Sequence, residues 1–200
     1  MKKILILVLA MCLPLVIGCN LSKDRPASFS RKTKTEALTF EDGKYAVNVK
    51  GSSLYWETSK KTGYHMGGVS LKSGELEVVD GQPQSGSFTI DMDSITNADI
   101  EDTSLRHNLI NELKSDKYFS VADYPTVRFD ITQIRLYAGE GDYDFVIEGD
   151  LSLKNSTQTA AVLAKIEPTE KGLAVSGQAK AESFTLEIEL SAERLSADRV

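Results

Sequence analysis

Apolar and polar residues alternate one for one through much of this chain from about Phe40 onward, and that period of two permits little except strands with one buried face. In residues 87–93 it puts Phe88, Ile90 and Met92 on one side and polar groups on the other. Residues 126–132 repeat the pattern with Val127, Phe129 and Ile131, and residues 144–153 with Phe145, Ile147, Gly149, Leu151 and Leu153. Segments 45–49, 54–56 (ending in Trp56) and 69–79 are compatible with it. Turn signals lie between them at Asp42-Gly43, Asp80-Gly81, Gly139-Glu140-Gly141 and Glu170-Lys171-Gly172. Many short strands at this spacing indicate a mostly antiparallel sandwich or barrel.

Two features modify the pattern. Within residues 99–120, Leu105, Leu109 and Leu113 recur every fourth position with Ile110 beside them, which predicts a helix with one apolar stripe. Such a helix is expected to lie across a sheet edge or over the mouth of a barrel. Further on, Leu173, Val175, Gly177, Ala179 and Ala181 lose bulk along one face. Small inward residues leave volume for a ligand, although Gly in a strand equally marks a bulge or bend. The buried parity then shifts from Ala179 and Ala181 to Phe184, Leu186 and Ile188, which requires a turn or bulge near Glu182.

The chain starts differently. Lys2 and Lys3 precede an apolar run of 14 residues, 4–17, broken late by Pro14. A bilayer span needs roughly 20 such residues, so this is a secretory signal peptide, removed on export. Val16-Ile17-Gly18-Cys19 resembles the bacterial lipobox, in which the thiol receives a diacylglycerol, the bond before it is cut, and the new amino terminus takes a further acyl chain such as palmitate. The plain alternative is a secretory signal with an incidental cysteine. On the lipobox reading, Cys12 leaves with the signal and Cys19 is a thioether, so the mature chain forms no disulfide. Three segments follow: a signal at 1–18, an acylated Cys19 with a flexible tether at 19–39, and one domain at 40–200.

Charge separates tether from domain. Residues 20–36 hold five Lys and Arg against two acids, and once they and the two signal lysines are set aside, the net charge of −6 becomes −11 for the remainder. A domain so acidic is a poor partner for nucleic acid, whose affinity rests on Lys and Arg meeting phosphates. The basic tether either lies against anionic head groups or simply stays solvated. With 41% hydrophobic and 26% charged residues the domain has material for an ordinary core.

Groups able to do chemistry are scarce. His65 and His107 lie in different segments, with no metal-ligand spacing or nucleophile motif around either. Asp91 and Asp93 fall on the solvated side of their strand, and Gly67-Gly68 lacks the lysine of a phosphate loop. No enzyme, no metal and no cofactor are expected.

SLKSGELEVVDGQPQSGSFTIDMDSI, HNLINELKSDKYFSVADYPTVRFDIT and EGDLSLKNSTQTAAVLAKI together resemble the YceI-like family of exported lipid-binding proteins, over about residues 45–168. The resemblance implies an all-β domain with one inserted helix, an elongated antiparallel barrel similar to a lipocalin, holding a polyisoprenoid chain such as a quinone tail in an apolar tunnel. The residues expected to line it are Trp56, Phe88, Ile90, Met92, Val127, Phe129, Ile131, Phe145, Ile147 and Gly177, with Leu105, Leu109 and Leu113 at the mouth and room left beside Gly149, Gly177 and Ala179. One departure leaves closure open: after Gly177 the family pattern would place an Arg and then an aromatic-Gly-aliphatic triplet, where this chain has residues 181–190, AESFTLEIEL. The expectation is a binding protein held to the cell envelope by Cys19 and facing the periplasm. Asn20 is not the aspartate that resembles an inner-membrane retention signal, so the outer membrane is expected. The other readings are an interaction lipoprotein with a packed, empty barrel and, less favoured, an enzyme on a periplasmic small molecule. The sequence does not decide between monomer and homodimer, nor which lipid is held.

Overall fold

The computed structural model describes residues 38–60, 63–181 and 184–196. The expected signal peptide, Cys19 and the tether as far as residue 37 lie outside the described residues. Among those described, nine strands and one α-helix follow in order: β1 (Gly43–Val47), β2 (Ser53–Lys60), β3 (Gly63–Val79), β4 (Gln82–Asp91), α1 (Thr103–Lys114), β5 (Thr126–Leu136), β6 (Phe145–Leu153), β7 (Ser156–Pro168), β8 (Gly172–Ala181) and β9 (Phe184–Arg194).

All pairings are antiparallel, and β2 to β9 close into a ring of eight in which each strand pairs with the next and β9 returns to β2. The short β1 pairs with both β3 and β9. Closure removes the unpaired edges that an open sheet would expose. The segment that left closure open is what completes it. Ala181 pairs with Phe184 across the β8–β9 connection, and two paired residues separated by two others carry the inward face from odd to even numbers. The parity shift is therefore accounted for by the antiparallel pairing of β8 with β9, and no bulge is needed within either strand.

Two buried clusters occupy opposite ends of the ring. One holds Trp56, Met92, Ile95, Val121 and Val127, with Ile110, Leu113 and Phe119 packed against it. The other lies near the β3–β4 and β7–β8 turns and includes Tyr45, Val78, Phe145, Ile166 and Leu173. Phe40 adds its ring there, 6.2 Å from that of Phe145.

The helix differs in detail from expectation. Asp102 caps it, accepting from Leu105 N at 2.9 Å, and Lys114 Nζ fastens its last turn to Asp93 O at 2.6 Å. Only its second half touches the barrel. Ile110 and Leu113 pack on the first cluster, Leu109 is half-buried, and Leu105 stands clear at 60% exposure. Leu105 is thus no part of a cover over the mouth, because it lies more than one turn before Ile110, where the helix docks. Met92 is corrected as well: it sits in a 3₁₀ turn, Met92–Ser94, just after β4, yet it is buried in the same cluster.

Candidate ligand-binding interior

Register carries one face continuously around the ring. Phe88 pairs with Phe129 and Phe129 with Leu151; Ile90 pairs with Val127. Ile131 faces Gly149 and Gly149 faces Ala160, while Ile147 faces Val162. Gly177 faces Ala164 on one side and Ile188 on the other, and Ile188 faces Leu54. This is the inner face, since it contains the buried Leu54, Trp56, Val127, Phe145 and Ile147. Nine of the ten expected lining residues lie on it: Trp56, Phe88, Ile90, Val127, Phe129, Ile131, Phe145, Ile147 and Gly177.

Between the two buried clusters the inner face is less completely covered. Phe88, Ile90, Phe129, Ile131, Val162, Val175, Ile188 and Leu190 point inward by register yet are only half-buried. A packed barrel core would bury them. The belt between the clusters carries no Asp, Glu, Lys or Arg; on the same parity Arg194 stands only at the end of β9, paired with Tyr45, and Lys60 only at the end of β2. What such a surface can do chemically is take up hydrocarbon.

The glycines do not supply the room expected of them. A Cβ on Gly177 would stand 2.8 Å from Leu163 O, and one on Gly149 2.5 Å from Phe129 Cζ. Both mark close approach of a neighbour, which only Gly permits. Other inward residues escaped sequence reading because β5 changes phase. Its register shifts between Ile131 and Gln133, where Thr132 Oγ1 donates to Glu148 O at 3.3 Å. This bulge turns Ile134 and Leu136 inward in place of odd-numbered residues. The signal was present as Ile134 and Leu136 themselves, two apolar residues on the opposite parity to Val127, Phe129 and Ile131.

The polar groups singled out in the sequence are structural. Asp91 accepts from Asp93 N at 3.1 Å and so caps the 3₁₀ turn. His107 is exposed on α1. His65 lies beyond Trp56 on β3, with Nδ1 2.8 Å from Asp99 Oδ2. Burial pushes the Asp99 carboxyl up, but hydrogen bonds from Met66 N, His65 and Asn97 outweigh it and hold the group below its ordinary 3.8. Asp99 had no signal in the sequence, being 34 residues from His65. Trp56 Nε1 donates to Thr96 O at 3.1 Å, which fixes the indole across the helix end of the ring. Among the described residues no group of His, Cys, Asp and Glu could hold a metal ion, and no helix is long and apolar enough to cross a membrane.

A family model described as the YceI-like domain matches residues 45–200. Among curated proteins none matches significantly. Among solved structures, BcnA of Burkholderia cenocepacia is similar with a TM-score of 0.55 at 16% identity, over 73% of this chain and 98% of that one, which shows a shared fold. A polyisoprenoid binding domain from Saccharophagus degradans implicated in plant cell wall breakdown matches over 76% of this chain and 98% of its own at 12% identity and a TM-score of 0.43. The YceI protein of Campylobacter jejuni matches over 62% and 84% at 14% identity and a TM-score of 0.41.

Proposed function

The chain belongs to the YceI-like domain family, and from that premise we propose that it is an exported lipoprotein that holds an isoprenoid lipid, a polyprenyl or quinone-type tail, in its barrel for storage or transport. The family is one of binding proteins. The observation that carries the reading is the belt of inward, half-buried apolar residues, Phe88, Phe129, Ile131, Val162 and Ile188 among them, which itself holds no charged residue. A hydrocarbon tail laid there contributes about 0.8 kcal/mol for each methylene removed from water. Anchoring through acylated Cys19 at the outer membrane, facing the periplasm, completes the proposal, and rests on the signal-type run that ends at Gly18.

Mass spectrometry of an organic extract of the purified protein tests it. An isoprenoid in near-stoichiometric amount is the expected result. An extract empty of lipid, together with no uptake of added isoprenoid, would favour the packed barrel instead. The anchor is tested separately by Cys19→Ala, which should release the protein from the membrane, since two or three acyl chains hold far more firmly than a basic tether. Retention of that variant through a high-salt wash would refute acylation.

A further inference from the structure

Both ends of the ring are filled by buried side chains, so a lipid must reach the belt through a plug or through the wall. The wall is incomplete along two lines, and the one between β4 and β5 is the more open to the apolar face. Strands β4 and β5 pair only between residues 87–91 and 126–130. Below that, residues 82–86 of β4 pair with β3 alone, and residues 131–136 of β5 with β6 alone. Each strand has a register shift beside the gap, at Glu77/Val78 opposite β4 and at Ile131/Gln133 in β5. Pro83, buried at this edge, has no N–H with which to extend a ladder.

A cleft of about 390 Å³ occupies the gap, with Pro83, Ile134, Leu136 and Phe145 among its walls. Leu136 is the telling residue. It pairs with Phe145 and so belongs to the inner face, yet it is 65% exposed while Phe145 is 1% exposed. Here a residue of the inner face reaches the outside, with Phe145 closing the cleft behind it. The outer part of the cleft carries Gln84, Gln133 and Arg135. Arg135 Nη2 is held by Glu148 Oε1 at 3.0 Å, so the cleft presents amides and no unpaired cation.

Resting on the lipid-binding reading above, we propose that the lipid crosses the wall at this seam, its tail passing over Leu136 and Ile134 and its head group staying among the glutamines. The amides select a neutral head group that hydrogen-bonds, a hydroxyl or a quinone carbonyl. A phosphate would meet no free cation there and would face an acidic domain.

The test uses the purified full chain in mild detergent, with native mass spectrometry reading occupancy over time. Three probes of equal tail length are compared: a polyprenol, a polyprenyl benzoquinone and a polyprenyl phosphate. The two neutral probes should load, and the phosphate at least about tenfold more weakly, because an anion without a partner is costly to desolvate. Leu136→Glu should slow loading of the neutral probes by at least about tenfold, since their tails must pass an ionised group. Leu136→Gln should do so less, and it keeps the test valid if the Glu variant fails to fold. The rival opening is at the far end, where residues 156–162 of β7 lack pairing with β8 and Phe184 is 41% exposed. Phe184→Glu should leave loading unchanged. Phosphate binding equal to or tighter than that of the polyprenol, normal loading of a folded Leu136 variant, or a larger loss in Phe184→Glu would each overturn the seam. Failure of the parent chain to load any probe would instead overturn the lipid-binding reading on which it rests.

Discussion

Gly67 stands where the Trp56 indole crosses β3. A Cβ there would collide with Thr96 O and lie 2.8 Å from Trp56 Cζ2, whereas one on the adjacent Gly68 would have as its closest neighbour Thr96 Oγ1, at 3.3 Å. Gly67→Ala should therefore destabilise the domain by about 1–3 kcal/mol, the usual cost of overpacking. Gly68→Ala should cost much less, and denaturant melts of the two variants make the comparison. Nothing in the sequence distinguishes the two glycines, because the difference lies in a backbone carbonyl 29 residues away from Gly67. Asp99 makes a second residue-scale point. Its carboxylate accepts from Met66 N at 2.8 Å and pairs with His65, so its folded pKa lies below the ordinary 3.8. The stability it contributes is complete above that value and drains away as pH falls through the lower, folded pKa. Asp99→Asn should thus melt earlier than the parent at neutral pH, and the gap between their melting temperatures should narrow as pH falls below about 4. A gap that stays constant down to strongly acidic pH would show that the charge of Asp99 is not what matters.

Elements were legible where periodicity persists and illegible where it is interrupted. The strands around Phe88, Val127 and Phe145 follow from alternation alone, and α1 from the recurrence of leucine. Two interruptions were missed or misjudged. The bulge at Thr132 reverses the inward parity of β5, and the four-residue spacing of Leu105, Leu109 and Leu113 says which residues share a stripe without saying where along that stripe the helix meets the barrel. Docking is decided by tertiary geometry. Phe119 and Val121, after the helix, pack beside Leu113 and Ile110 and draw in its C-terminal half only. Leu113→Ala should consequently cost about 1–2 kcal/mol, less than a fully buried leucine. Leu105→Ala, on an exposed position, should stay within about 0.5 kcal/mol. Equal losses in the two variants, read from chemical denaturation, would mean that the whole stripe is docked.

At the scale of the whole molecule, a closed antiparallel ring with one helix followed from alternation joined to family resemblance, but the half-buried belt does not lie where the small residues are. Gly149 and Gly177 are filled by their neighbours, and the half-buried belt consists of larger side chains, Phe88, Phe129, Val162 and Ile188. Residue size along one strand reports local approach, whereas spare volume depends on how eight strands are staggered against each other. A belt open enough for a tail should accept a large side chain in its place. Val162, inward beside Ile147 and half-buried, is the position to use. In Val162→Trp the indole should occupy the space of the lipid, so that lipid recovered from the purified variant falls well below that of the parent. The melting temperature should shift by no more than the about 1–3 kcal/mol of modest overpacking implies. In a barrel already packed solid the same indole has nowhere to go, and the variant would unfold while the parent yields no lipid. A folded variant carrying its full complement of isoprenoid would place the tail away from Val162 and confine it to the part of the belt between Phe88 and Ile131.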